Sequence, residues 1–377
     1  MKLLFIAGHE FMGKQDNGGR QCSYRNYTVL QQIFGEENVY LCMLSNVTRT
    51  DESKNIRVFP THRNKAELVK NTLFFRNGYS RKSKKEMIQY INCINADIIW
   101  FDSSLTGLLA RRIHGNPRII VFQHNVEKKY MWNRMIKSGL PYFLPYLSYS
   151  YNERCILKRA DDVICLNERD GIELQECYGR TPDFYMPMTF KDQYDEGKAQ
   201  KVKKNRQNEK TLQLLFVGSL FPPNYDGILW FVKNVMSKLS DCALYIVGKD
   251  METKSEELVS GNVEVVGTVD DLSNYYYEAD VVVLPILYGN GMKIKTAEAM
   301  MYGKPILATQ EALEGYDISG IEGIWKCDSI DQFVSAIEEL KHLKMNGTIE
   351  SHTRELFLSK YETSHIVKCL GDFLRGD

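Results

Sequence analysis

GNGMKIKTAEAMMYGKPILAT, residues 289–309, follows the apolar run Val281–Leu284 and Pro285 and leads into a helical pattern carrying Ala297, Met300 and Met301. A short buried strand that releases the chain into a glycine-bearing loop and then a helix start is the repeating step of a parallel α/β sheet. With little side-chain bulk at Gly289 and Gly291, backbone amides in such a loop can face an anion, and a helix N-terminus adds roughly half a positive charge. Lys293 and Lys295 bring two full cations to the same place, as a departing nucleoside diphosphate needs where no metal neutralises it. Glu298, one turn after Lys295, is an acceptor suited to ribose hydroxyls. Taken alone, the same residues also read as solvated loop lysines, with an ordinary Lys295–Glu298 pair three apart on a helix surface.

The same alternation continues on both sides. Gln213–Val217, Ala243–Val247, Val263–Val266 and Pro305–Ala308 read as strands and Ile228–Leu239 as a helix. The tail Ile330–Leu374 is helical in pattern, with Phe333, Ala336, Ile337 and Leu340 spaced for one buried face. Toward the amino terminus, Lys2–Ala7, Val39–Leu44, Asp97–Phe101, Ile119–Phe122 and Asp162–Leu166 are apolar runs of the same kind. KDQYDEGKAQKVKKNRQNEK, Lys191–Lys210, is charged and poor in apolar residues, and reads as a solvated connection. The expected fold is α/β, with two Rossmann-like domains facing across a cleft. The first spans 1–190 and a linker 191–210; the second spans 211–355, and a C-terminal helix over 356–377 packs back toward the first. Ligands of open α/β folds bind at the carboxyl ends of the strands.

Composition narrows the classes. A chain of 377 residues exceeds what one core usually supports. The 48 basic and 48 acidic residues give no global field for nucleic acid. No apolar run is long enough to span a membrane, and the opening apolar stretch, Leu3–Ala7, is too short for a signal peptide, so a cytoplasmic protein is expected. The nine cysteines are scattered singly and read as reduced thiols. Asp161-Asp162 and Asp270-Asp271 are adjacent pairs, not the spaced aspartates of a divalent-ion site, so neither a metal nor another cofactor is expected.

Gly289, Gly291, Lys293, Lys295, Glu298, Ala299, Met300, Gly303, Pro305 and Ile306 together match a Gly-x-Gly-x-Lys-x-Lys…Glu-Ala-Met…Gly-x-Pro-Ile pattern. In this the chain resembles the retaining glycosyltransferases of the GT-B fold, in particular glycosyltransferase family 4. The resemblance implies a nucleotide-sugar donor held by Gly218, Asn290, Gly291, Met292 and Glu298, with Lys293 and Lys295 on the diphosphate. Gly267–Pro285 is similar to the segment that holds the base, and Leu214–Phe231 to the opening strand and phosphate-side loop. One position departs: many relatives carry a second glutamate eight residues before the ribose-binding one, and here it is Asn290. An amide still hydrogen-bonds sugar hydroxyls, so an altered sugar preference is expected.

In the first domain, Gly18 and Gly19 permit close approach of backbone to a ligand or form a plain turn; relatives place a Gly-Gly loop here beside the donor. His124, in VFQHNVE, stands just past a strand end. A single histidine there is often structural, but the resemblance assigns it a contact to the donor sugar near the reacting carbon. Glu127 and Arg154 are secondary candidates. The implied activity is transfer of a hexosyl or N-acetylhexosaminyl group, with retention and a lean toward a UDP-sugar, onto a saccharide, glycolipid or glycoprotein acceptor in polysaccharide or glycoconjugate biosynthesis. A nucleotide-sugar epimerase and a catalytically weak homologue that binds another transferase are the competing readings. Phe74 and Phe75 in a basic stretch, and the aromatic segment Met131–Tyr151, fit peripheral membrane contact or core aromatics beside a solvated face. The sequence leaves open whether the protein forms a homo-oligomer.

Overall fold

The computed structural model describes residues 1–13, 18–46, 55–62, 64–206, 209–289, 292–347 and 349–376. The chain divides into two units, Met1–Thr189 with Ile366–Asp377, and Phe190–His365. Each is built on its own parallel sheet, as the α/β expectation requires.

The first unit holds β1 (Leu3–Ala7), β2 (Val39–Ser45), β3 (Ile56–Pro60), β4 (Ile98–Phe101), β5 (Arg118–Gln123), β6 (Asp162–Cys165) and β7 (Phe184–Tyr185), in spatial order 3-2-1-4-5-6-7. All five residues of β1 are buried, because helices cover both faces of the sheet. On one face α1 (Gly18–Phe34) brings Tyr27 and Leu30 against Phe5 and Phe122. The chain's last helix, Thr363–Arg375, adds Ile366, Leu370 and Leu374 to that core. Helices α2 (Lys65–Leu73), α3 (Arg81–Ile94), α4 (Glu127–Ser138), α5 (Phe143–Leu157) and α6 (Glu168–Tyr178) follow in the chain. Met87, Ile91, Ile156 and Leu174 from α3, α5 and α6 meet Leu4, Ile6 and Phe101 on the other face.

The second unit holds β8 (Leu212–Val217), β9 (Cys242–Val247), β10 (Val263–Gly267), β11 (Val281–Leu284), β12 (Ile306–Ala308) and β13 (Ile324–Lys326), in order 10-9-8-11-12-13. Its helices are α7 (Glu196–Asn205), α8 (Pro222–Asn234), α9 (Ser255–Leu258), α10 (Ser273–Glu278), α11 (Ile294–Met301), α12 (Ile330–Met345) and α13 (Thr353–Leu356). A Ser329/Gln332 capping box starts α12 where its apolar face begins.

Two features differ from the sequence reading. β3, β7 and β13 were not expected; all three are edge strands, half exposed, and so lack the continuous apolar run that marks central ones. The stretch 191–210 is not only a connection: it carries α7, whose Ala199 and Val202 pack on the second core. Arg354 anchors its start through a bidentate bridge to Asp192, at 2.8 and 2.6 Å, while its guanidinium lies over Tyr194 at 4.4 Å.

Both sheets share one topological feature. β1 pairs with β2 on one side and β4 on the other, and β8 with β9 and β11, so successive crossovers leave in opposite directions. The gap this leaves at the carboxyl ends is where such folds bind ligands.

At the second gap α8 runs close against the chain leaving β11: a Cβ on Gly227 would lie 2.1 Å from the Pro285 carbonyl oxygen. Backbone cannot rotate away, so Gly227→Ala is expected to destabilise the protein by about 1–3 kcal/mol. Urea unfolding against wild type measures this, and an unchanged midpoint would show that α8 shifts freely.

Candidate functional site

The second gap collects the loop after β8 and the starts of two helices. Gly218 follows β8 and is locked into the sheet by its N–H to the Val247 carbonyl, 2.9 Å. A Cβ there would meet the Asn224 and Phe216 side chains tightly, at 3.1 Å, while a Cβ on Gly248 would lie 2.1 Å from the Gly218 oxygen, so Gly248 is held to glycine by crowding. Asn224, in the first turn of α8, donates to the Ser219 carbonyl at 3.0 Å and accepts from the Lys295 ammonium in the first turn of α11. Two helix N-termini therefore meet at Lys295, a geometry that favours an anion.

Burial pushes the Lys295 pKa down to about 8, with Glu298 acting against the shift and Lys293 with it. Glu298 accepts from the Tyr276 hydroxyl at 3.1 Å; burial raises its pKa, and Tyr276 and Lys295 oppose the rise. The Lys295–Glu298 pairing expected on a helix surface is thus a half-buried arrangement with outside partners. Lys293 lies 2.6 Å from Glu311, so it is not the bare cation the sequence suggested. The Tyr316 hydroxyl fixes the backbone of Lys293 at 2.7 Å. Met292 packs on the core edge. Asn290 and Gly291 lie outside the described residues.

The first gap collects the ends of β1, β4 and β5. His124, one residue past β5, sets Nε2 3.2 Å from Asp102 Oδ2 at the end of β4. The Asp102 side chain is 1% exposed, and its other oxygen accepts from Asn26 Nδ2 at 2.7 Å and from Trp100 Nε1 at 3.4 Å. Cys22 of α1 accepts from Arg25 Nη2 at 3.4 Å. Arg25 is buried, with Nε and Nη1 unpartnered among the described residues. Burial alone would lower the His124 pKa; Cys22 and Asp102 outweigh it and raise it well above the usual histidine value. His9, 6.2 Å away between ring centroids, goes the other way: burial lowers its pKa against the pull of Asp102. The two imidazoles are thus pushed in opposite directions, His124 up and His9 down.

Behind His124, Glu153 of α5 caps α4 by accepting from the N–H groups of Glu127 and Lys128, at 2.8 and 3.0 Å, and from Tyr178 at 2.7 Å. Glu127 does not pair with a lysine: burial first, then Glu153, pushes its carboxyl up to about 8. Arg154 is exposed on α5. Gly18 opens α1, but an added Cβ there meets nothing within 4 Å, so crowding does not require glycine at that position. Gly19 is the next residue of the helix. Cys22, Asn26 and Asp102 were missed in the sequence, where only the place of Asp102 just past β4 marked any of them. Among the described residues no group of three or more His, Cys, Asp or Glu is placed to hold a metal ion.

Residues 211–342 match the family model described as Glycosyl transferases group 1, covering β8 through most of α12. This supports a group 1 glycosyltransferase. A Klebsiella pneumoniae protein described as an uncharacterized 44.6 kDa protein in the cps region is 23% identical over 188 residues, 46% of this chain and 45% of that relative, so the match spans less than half of each. Among solved structures, sucrose-phosphate synthase from Thermosynechococcus elongatus has a TM-score of 0.61 at 17% identity, over 100% of this chain and 99% of its own. The Anabaena protein HepE in complex with UDP has a TM-score of 0.66 at 13% identity, over 100% of both chains. The lipopolysaccharide outer core galactosyltransferase WaaB has a TM-score of 0.66 at 15% identity, over 100% and 99%. At these identities the likeness is one of fold, and it places the two α/β units within the GT-B architecture.

Two measurements check the first gap. Asp102→Asn removes a charge that keeps His124 protonated, so the imidazole should titrate at lower pH in the variant than in wild type, read from its ring carbon resonances. Equal titration would show that Asp102 does not control it. Glu127 binds its proton more tightly in the fold than in the unfolded chain, so its contribution to stability is fully present below the unfolded pKa of about 4.3 and is lost as pH rises through about 8. The melting temperature of Glu127→Gln should therefore gain on wild type across that window and level off above it. Parallel curves would mean the carboxyl is already ionised at pH 5.

Proposed function

We propose that the protein is a retaining, metal-independent glycosyltransferase that moves a hexosyl or N-acetylhexosaminyl group from a UDP-sugar onto a saccharide, glycolipid or glycoprotein acceptor. The observation that carries the reading is the meeting of the α8 and α11 starts at Lys295, within the segment that matches the glycosyltransferase model. HepE, solved with UDP and with UDP-glucose, supports UDP as the leaving group. The setting we favour is polysaccharide or glycoconjugate assembly, in keeping with the Klebsiella relative described as lying in the cps region.

In this reading Lys295, the two helix starts and Lys293 stabilise the charge that grows on the departing diphosphate. An arriving diphosphate raises the Lys295 pKa back toward its ordinary value, so the ammonium is held more firmly where the negative charge is greatest. Glu298 keeps lone pairs free of Tyr276 for the ribose hydroxyls. His124, held as imidazolium, donates to an oxygen of the donor sugar. No carboxylate nucleophile is assigned: the leaving phosphate accepts the acceptor's proton as the new glycosidic bond forms on the same face.

Thermal melts with UDP, GDP and ADP, each with magnesium and with EDTA, test this. UDP at about 100 times its Kd should add about 2.7 kcal/mol, a rise of several degrees, with or without metal. Lys295→Ala should remove most of it. No rise with any nucleotide would sink the donor-site assignment, and a rise that needs magnesium would overturn metal independence.

A further inference from the structure

The α4–α5 hairpin presents a surface that nothing in the transfer reaction uses. Between the two helices the chain turns through Gly139 and a short helical turn, Leu140–Tyr142. Apolar side chains here point outward: Leu140 at the turn is 83% exposed, Ile136 in the last turn of α4 is 67%, Phe143 at the start of α5 is 49% and Trp132 is 45%. Isolated exposed apolar residues are ordinary, but a cluster on one protruding hairpin marks an interaction site. The helix ends do not require it, since α4 already buries Met131 and α5 buries Ile156.

Charge identifies the partner. From Lys128 to Asn152 the chain contains no acidic residue, while Lys128, Lys129, Arg134 and Lys137 all lie in α4. Lys129 reaches Glu176 of α6 at 3.7 Å. Arg134 lies over the Tyr130 and Tyr142 rings at 5.5 and 5.3 Å, which places a guanidinium and two interfacial aromatics at the base of the tip. An apolar tip ringed by cations and tyrosines has the layered chemistry of a bilayer: acyl chains outermost, then aromatic residues at the headgroup level, then cations at anionic phosphates. A protein partner with the same fit would need an acidic rim around an apolar socket. No helix among the described residues is long and apolar enough to cross a membrane, so the contact is peripheral.

We propose that the α4–α5 tip, with Ile136, Leu140 and Phe143 inserted and Arg134 and Lys137 on the headgroups, docks the protein on an anionic phospholipid surface. The proposal stands apart from the transferase reading and places the first unit where a lipid-carried substrate would be met.

The test is co-sedimentation of the full chain with phosphatidylcholine vesicles and with vesicles containing about one third phosphatidylglycerol. Binding is expected only to the anionic vesicles, weakening as salt rises. Arg134→Glu with Lys137→Glu should weaken it at least roughly tenfold, since each cation near such a surface contributes about fivefold. Ile136→Glu with Leu140→Glu should abolish it. Both positions are already exposed, so the variants should keep the wild-type melting temperature and its response to UDP, which shows that they are folded. A blue shift of tryptophan emission on vesicle addition, lost in Trp132→Phe, would locate the contact. Absence of wild-type sedimentation with either vesicle overturns the proposal. So does binding that both double variants retain, or a concentration-dependent dimer that Leu140→Glu dissolves in a protein that ignores vesicles.

Discussion

Parallel pairing is the constraint on which the rest of this structure depends. A parallel strand cannot turn back on its neighbour, so every strand needs a crossover, and the helices that make it bury both faces of the sheet. Every carboxyl end then opens on one edge, and where crossovers part to opposite sides that edge is left uncovered. In the first unit this happens between β1 and β4, and in the second between β8 and β11. His9, Asp102 and, one strand over, His124 stand at the first gap; Gly218 and the loop leading to Lys293 and Lys295 stand at the second. Topology thus fixes where polar chemistry can be exposed in a fold whose central strands are largely apolar.

The two gaps handle buried charge differently. A buried ion left alone costs several kcal/mol. The first gap answers with groups of alternating character: Arg25, Cys22, His124 and Asp102 follow one another, and Asn26 and Trp100 satisfy the remaining carboxylate oxygen. Such a chain pairs the imidazole directly with a carboxylate, which raises its pKa, while Arg25 Nε and Nη1 stay unpartnered among the described residues. The second gap is incomplete. Asn224 is a neutral partner for Lys295, and Tyr276 a neutral partner for Glu298, so neither charge is fully compensated. Lys293 alone has a close carboxylate, Glu311.

What could be read from the sequence follows from the same physics. Central strands buried on both faces are apolar at nearly every position, so β1 and β11 show themselves as short unbroken runs and β8 as one interrupted only by Gln213. Edge strands β3, β7 and β13 are covered less and carry no such mark. The 191–210 stretch looked like a solvated connection because α7 buries so few of its side chains that charge dominates its composition. The glycine and lysine spacing around Lys295 was legible because all of these residues fall within one short stretch of chain. Asp102, Asn26 and Cys22 were not, because α1 and the end of β4 are brought to His124 only by the tertiary fold, and a lone aspartate after β4 carries no local signature. The same holds for Glu153, whose role as a cap for α4 joins residues 25 or more positions apart.

A lysine held near pKa 8 in the free protein has consequences for how a diphosphate would be bound. Desolvation has already been imposed on Lys295 by the fold, so little further reorganisation is needed when an anion arrives. The anion supplies the opposite charge that Asn224 cannot, and the proton equilibrium moves back toward the ammonium. Interaction energy at this position therefore rises with the charge on the ligand. A departing nucleoside diphosphate carries more charge on its terminal phosphate than the intact nucleotide-sugar does, so the second gap should favour the leaving group over the bound donor. That difference between ground state and transition state is what lowers a barrier, whereas a lysine already neutralised by a carboxylate would hold both states alike.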